Sequence, residues 1–246
     1  GFRYFNQFLT DPTFWNIFKN TILLNLFNLI FGFPVPIIFA LLLNEVRNKY
    51  CKKLVQTVSY LPKFFSTVVV VSMINSLLSP STGVINKILE NFGMEAIHFT
   101  NEAAWFRPIY IISDIWQFTG WNAILYLAAL SAIDMQLYEA AIIDGANKWK
   151  QVLHVTIPGI MPTIVIVFIL SVGNILAVGF EKILLLYSPS IYGTADVIQT
   201  YVYRMGLLNN NFSYATAVGV FQAIISLWLL WMMNRFARKY SDYSLW

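Results

Sequence analysis

Apolar residues gather in five runs along the chain, with polar positions crowded into the connectors between them. The runs extend roughly over 16–43, 61–78, 108–133, 162–186 and 214–233. Each is close to or longer than the roughly 20 residues that an α-helix needs to cross a bilayer core. The pattern predicts an all-α membrane protein with five transmembrane helices in a single domain spanning residues 1–246. The first run is longer than a crossing requires, and Gly32, Pro34 and Pro36 within it predict a bend, because each proline removes a backbone donor and crowds the preceding turn. Asp11-Pro12 reads as a helix start, with aspartate as the cap and proline at the first helical position. The aromatic and polar residues 1–15 before the first run are expected to lie on the membrane surface. In the connector 79–107, Ile85, Ile88, Leu89 and Phe92 recur at helical spacing and Gly93 follows, predicting a short amphipathic helix. In the loop 187–213, Thr194 is expected to cap a helix carrying Val197, Ile198, Tyr201 and Val202.

Composition agrees with lipid as the solvent: 58% of the 246 residues are apolar and only 11% charged, against about a quarter charged in soluble domains. The net charge of +4 comes from short basic clusters, too short to suggest nucleic acid. The lone Cys51 excludes an internal disulfide and a CxxC metal site, and His98 and His154 are isolated, so no metal site is expected. Arg47, Lys49, Lys52 and Lys53 form one basic connector, and Arg235, Arg238 and Lys239 close the chain. The positive-inside rule puts both in the cytoplasm, the connector 134–160 with them, and the loops 79–107 and 187–213 outside. A multi-pass membrane protein with a cytoplasmic C-terminus is the expectation. Gly1 then lies outside, and a sixth helix is expected upstream of it.

The connector 134–160 is unusual in carrying apolar residues away from the runs. Leu137, Ala140, Ala141 and Asp144 share one helical face, and Gly145 suits the left-handed conformation that ends a helix. Trp149, Val152 and Leu153 make a second amphipathic piece, and Pro158 and Pro162 are expected to mark the entry to the fourth run. The low relief of Ala140, Ala141, Gly145 and Ala146 suits a docking site for a partner. A helix lying flat on the bilayer explains the periodicity equally well.

Glu139-Ala140-Ala141, Asp144-Gly145-Ala146 and Val155-Thr156-Ile157-Pro158 resemble, in residue type and spacing, the "EAA" motif of permease subunits in bacterial ATP-binding-cassette importers. The opening Gly1–Phe8 with Asp11–Trp15 and Asn20-Thr21 is similar to the carbohydrate-type, maltose-permease-like members. Ala195–Gly206 resembles a subgroup associated with oligosaccharides from complex polysaccharides. The resemblance implies a sugar permease with six spans. It makes the helix of Glu139, Ala140, Ala141, Asp144, Gly145 and Ala146, with Trp149 and Pro158, the cytoplasmic coupling helix that sits on an ATPase. It implies as partners an ATPase dimer, a second and homologous permease, an external solute-binding protein, membrane lipid and the sugar itself. No GxxxxGK[ST] loop is present, so no cofactor is expected in this chain, and ATP and Mg²⁺ are expected on the ATPase.

Polar groups inside spans are costly and face a cavity or another helix. In the third run Asp114, Gln117 and Trp121 fall at i, i+3, i+7, with Asn122 nearby. Acid, amide and indole suit a sugar, whose hydroxyls want hydrogen bonds and whose apolar faces pack on aromatic rings; helix–helix hydrogen bonding is the other reading. In the fourth run Asn174 and Glu181 are expected to share a face, and Lys182 to snorkel outward. Ala215, Gly219 and Ala223 predict close helix packing in the fifth. Gln222 could face the pathway. An ATPase-independent secondary transporter or channel would need no coupling helix, and paired repeats that would favour it are not evident. A membrane enzyme would need a convergent catalytic set, which isolated histidines and scattered acids do not supply.

Overall fold

Asp11 and Pro12 start the first long helix as their chemistry requires: the Asp11 carboxylate accepts from the Thr13 amide at 2.8 Å, and Pro12 takes the first position. The computed structural model describes residues 2–240 and 243–245, and no strand occurs among them. After a short helix α1 (Arg3–Leu9), helix α2 (Pro12–Phe27) passes through a widened π turn (Asn28–Gly32) into α3 (Pro34–Asn44). This rod of 33 residues is about 50 Å long at 1.5 Å per residue. The bend expected from Gly32, Pro34 and Pro36 takes the form of the π turn. Pro34 offers no amide to the carbonyl of Ile30, and its ring crowds that carbonyl, so the turn before it opens.

The second span departs from expectation. Helix α4 (Lys49–Tyr60) carries the basic cluster, Leu61–Phe64 forms a 3₁₀ turn, and α5 (Thr67–Leu78) sets off at 99° to α4. Apolar residues begin at Leu61, but Pro62 and the Ser66 cap stop one helix and start another. With 12 residues, α5 is about 18 Å long, well short of the roughly 30 Å hydrocarbon core. Helix α6 (Val84–Asn91) follows, near the predicted place. Helix α7 (Ala103–Ser131) includes Pro108 in its second turn and is the central rod. Gly120 lets α4 approach it: a Cβ there would lie 2.1 Å from the Ser59 carbonyl oxygen.

Two short pieces, α8 (Met135–Ile143) and α9 (Lys148–Gln151), lead through a second π turn (Val152–Thr156) into α10 (Ile157–Gly173). The helix of the fourth span therefore begins at Lys148, and Pro158 and Pro162 lie within it instead of marking its entry. The π turn again precedes a proline, now Pro158. The span also ends early: α10 stops at Gly173 and the chain re-forms as α11 (Phe180–Leu186). Beyond it come α12 (Tyr192–Ala195), α13 (Ile198–Tyr203) and the long α14 (Phe212–Tyr240). Thr194 does not cap α13; Val197 occupies that place, its amide donating to the Thr200 hydroxyl at 3.0 Å. Three helical rods are long and apolar enough to cross a membrane, and the bent pairs α4–α5 and α7–α8 raise the number to five.

Helix α3 packs along α7, and α10 lies between α7 and α14. Two apolar clusters, around Leu24, Tyr110 and Ile183 and around Phe8, Phe14 and Tyr214, fill one end of the bundle. A third, around Ala40, Tyr126 and Ile160, fills the other. The aromatic opening segment is thus part of the core, with Phe8 and Phe14 fully buried against α14, and not merely laid on a membrane surface. Of the small residues on α14, Ala215 is buried, while Gly219 has open space where a side chain would stand and Ala223 is exposed.

Candidate functional site

Between the two filled ends lies a cleft of about 280 Å³ walled by the α2–α3 junction, α7 and α10. Asp114 and Asn122 of α7 line it, as do Asn25, Asn28, Thr119 and Ser171. Asp114 is its one charged lining residue, and both carboxylate oxygens have partners: Oδ1 lies 3.2 Å from Lys182 Nζ, and Oδ2 accepts from Asn28 Nδ2 at 3.1 Å. Lys182 is 4% exposed and lies 5.6 Å from the ring centres of Tyr110 and Phe118. It does not snorkel. The break after α10 turns α11 inward and delivers the ammonium to Asp114, where ion pairing and the aromatic faces offset its desolvation.

That break frees backbone groups which, away from water, need other partners. Four helices supply them. Asn25 of α2 donates to the Ile175 carbonyl at 2.7 Å, Gln199 of α13 and Gln222 of α14 donate to the Leu176 carbonyl at 2.7 and 2.9 Å, and the Gly179 amide donates to the Tyr110 hydroxyl at 3.1 Å. The same break removes the face that Asn174 and Glu181 would share on a continuous helix. Both are exposed, neither lines the cleft, and Asn174 turns back to the Leu170 carbonyl at 3.0 Å.

The i, i+3, i+7 set on α7 also divides. Asp114 faces the cleft, Gln117 is buried away from it at 4% exposure, and Trp121 is exposed and packs edge-on against Phe64 at 5.9 Å. A spacing of seven rotates an α-helix by 20° short of full turns, but the cleft is narrow and α4 and its 3₁₀ turn cover the flank. Sequence reasoning missed Asn25, Asn28 and Lys182. Thr21, Asn25 and Asn28 recur at i, i+4, i+7 in an otherwise apolar run, which is the signal that marks them.

Donors and acceptors in the cleft are unevenly used. The Thr119 and Ser171 hydroxyls donate to the Ile115 and Val167 carbonyls at 2.6 and 2.7 Å, and the Asn25 and Asn28 amide groups are engaged as above. Their oxygens keep acceptor capacity. Asn122 is exposed and forms no hydrogen bond among the described residues. The wall therefore offers chiefly acceptors.

At the far end of α7 the connector takes the predicted form of two short helices with a break. Asp134 caps α8, its side chain accepting from the Gln136 amide at 2.9 Å. Gly145 takes φ +77°, the Ala146 amide donates to the Ala141 carbonyl at 2.8 Å and the Gly145 amide to Ile142 at 3.0 Å, which together close α8 in a Schellman motif. Asn147 caps the next helix through the Lys150 amide at 3.0 Å. The Tyr138 hydroxyl lies 3.0 Å from that of Thr156, tying α8 to the rod that contains α10. No residue of α8 is buried: Leu137 is exposed, as are Glu139, Ala140 and Asp144, while Ile143 and Trp149 are 85% and 77% exposed. Ala141 and Ala146 are half-buried, and Pro158 lies inside the rod.

The family model for the "Binding-protein-dependent transport system inner membrane component" matches residues 8–242. The chain is 47% identical to the polygalacturonan/rhamnogalacturonan transport system permease protein YteP of Bacillus subtilis (strain 168), over 98% of this chain and 75% of that protein. It is 42% identical to the protein LplB of the same organism, over 100% and 77%. Among solved structures, it superposes with a TM-score of 0.96 and 44% identity on a chain of a bacterial alginate ABC transporter in complex with an alginate pentasaccharide-bound periplasmic protein, covering 100% of this chain and 85% of that one. A match over nearly the whole length, in both sequence and fold, shows that the chain belongs to the family of binding-protein-dependent transport system inner membrane components, and is a permease subunit, not an enzyme.

Proposed function

We propose that this permease passes a sugar or oligosaccharide through the cleft at Asp114 and Asn122, and that α8 couples the passage to a separate ATPase dimer. The observation that carries the reading is a connection. The two rods that hold α8, α7 on one side and the Lys148–Gly173 rod on the other, are the rods that wall the cleft. A force on α8 is delivered through Ser131–Met135 to α7 and through the Tyr138–Thr156 contact to α10, so movement of one short helix changes the spacing of two cleft walls. Differential docking of the ATPase in its nucleotide-bound and nucleotide-free forms then biases the cleft between inward and outward openings. Glu139, Ala140, Ala141, Asp144, Gly145, Ala146 and Trp149 form the docking surface, and ATP with Mg²⁺ belongs to the ATPase. Pro158 lies inside the rod just after the π turn Val152–Thr156 and is left out of that surface.

The acceptor-rich wall supports a hydroxyl-bearing solute, since each sugar hydroxyl brings a donor. The relative named for polygalacturonan/rhamnogalacturonan transport supports the same class. An external solute-binding protein and a second permease complete the assembly, and the basic clusters Arg47–Lys53 and Arg235–Lys239 support a cytoplasmic side for α8 and the C-terminus.

The test is Gly145→Arg in the assembled transporter. Uptake of the transported oligosaccharide is expected to fall well below that of Gly145→Ala while membrane insertion is kept: both variants share the strain of a Cβ at φ +77°, open space surrounds Gly145 in the free chain, and only a docked partner meets the arginine side chain. Normal uptake by this variant refutes the docking role.

A further inference from the structure

Helix α6 is folded inside out. Its polar Asn86 is fully buried, and its side-chain amide donates to the carbonyls of Leu78, Ser79 and Ile97 at 3.2, 3.1 and 3.0 Å, while its oxygen accepts from the Ile97 amide at 2.8 Å. Its aliphatic residues point the other way: Val84, Ile85 and Ile88 are exposed, and Phe92 and Met94 just beyond it are 80% and 52% exposed. A helix on a water-facing surface places its apolar stripe inward and its amides outward. Here the four hydrogen bonds of Asn86 fix the opposite orientation, so the apolar row is presented by design of the loop and not by default.

What covers the row follows from where it is held. Helix α6 packs on α5, whose Val68, Val69, Met73 and Leu77 form an exposed apolar stripe of their own. The link Ser79–Gly83 is short, so α6 cannot leave the end of α5. On its other side the chain returns to the start of α7, where Trp105 packs edge-on against buried Phe99 at 5.0 Å. Tryptophan at the mouth of a span marks the level of the membrane–water boundary. The row bears no hydrogen-bonding group, whereas Lys87, Glu90, Asn91 and Glu95 around it are exposed and polar. An apolar face set beside a second exposed apolar stripe, with polar flanks of both signs, has the chemistry of a helix lying in the interface plane.

We propose that α6 is an interfacial anchor on the external leaflet, with Ile85, Ile88 and Phe92 set between lipid headgroups and acyl chains, and Asn86 as the residue that fixes this orientation. It rests on the proposed orientation of the chain and holds for any transported solute. Its consequence is mechanical: an anchored α6 keeps the outer ends of α5 and α7 at fixed depth while the cleft walls move.

The experiment uses the assembled transporter in nanodiscs of phosphatidylethanolamine and phosphatidylglycerol, with Cys51→Ser and single cysteines at Ile85, Ile88, Phe92, Lys87 or Glu90. Because both faces of a nanodisc are open to solvent, the side is read first in intact cells with a membrane-impermeant maleimide, and reaction of the Glu90 site from the external face is expected. Reaction only from the cytoplasmic face overturns the placement together with the topology. Nitroxide labels are then compared for collision with oxygen and with a water-soluble nickel chelate. The expected result is a preference for oxygen at 85, 88 and 92 and for nickel at 87 and 90, with the alternation lost on adding Asn86→Ala. Equal nickel access at 88 and 87 overturns the proposal while leaving the topology standing. Immobilisation of the labels at 88 and 92 only when the solute-binding protein is added, or protection from both reagents by the second permease, also overturns it and assigns the face to protein.

Discussion

The cleft and the coupling segment are built on opposite plans. At the cleft, charged and polar groups are removed from solvent and paired within the chain: Asp114 with Lys182 and Asn28, and the broken backbone of 174–179 with four different helices. At α8 the helix ends are satisfied by Asp134 and the Gly145 motif and one hydroxyl, Tyr138, is tied to the neighbouring rod, while Leu137, Ile142 and Ile143 stay exposed. One region is complete inside this chain; the other, in the proposed coupling role, is completed by a partner. Variants should therefore affect stability at the cleft and coupling at α8.

The largest expected effect on stability is at Lys182→Met. It strips the counter-ion from a carboxylate whose side chain is 20% exposed, and leaving one charge of a buried pair alone costs roughly 3–5 kcal/mol. A lower unfolding midpoint of the purified complex checks this, and adding Asp114→Asn should recover most of the loss, since no charge is then left unpaired. A single variant as stable as the parent would show that Asp114 finds another partner. Gly145→Ala should be milder, about 1–2 kcal/mol, because a Cβ at φ +77° disfavours the left-handed backbone. The reading is faster amide exchange confined to 141–146, with the cleft unchanged. Tyr138→Phe should cost about 1 kcal/mol for one hydrogen bond, seen as roughly fivefold faster exchange across α8. If this variant also disturbs exchange in 174–179, the two regions are not independent and the contrast drawn above fails.

Much of α8 was legible in the sequence because its determinants are local. Gly145 marks the end of α8 by residue type alone; Asp134 and Asn147, which the sequence reading did not single out, cap through amides two and three residues on, so their signal is equally local. The cleft was only partly legible. Asp114 and Asn122 line it, but Gln117, Trp121, Asn174 and Glu181 were grouped with them by ideal helical periodicity, and the helix carrying the last two does not continue. Lys182 looked like a residue that reaches outward because its partner lies far away in the chain.

The sequence alone determined the apolar runs, the caps, the prolines that open the two π turns and the glycine that ends α8, since each depends on the residue itself or on its neighbours within a turn. Tertiary structure decided which polar residues meet. It ended α10 at Gly173, buried Asn86 while turning Ile88 outward, and joined Lys182 to Asp114. Those outcomes depend on desolvation and pairing between distant segments, and no local pattern encodes the partner that makes a buried charge or an open backbone tolerable.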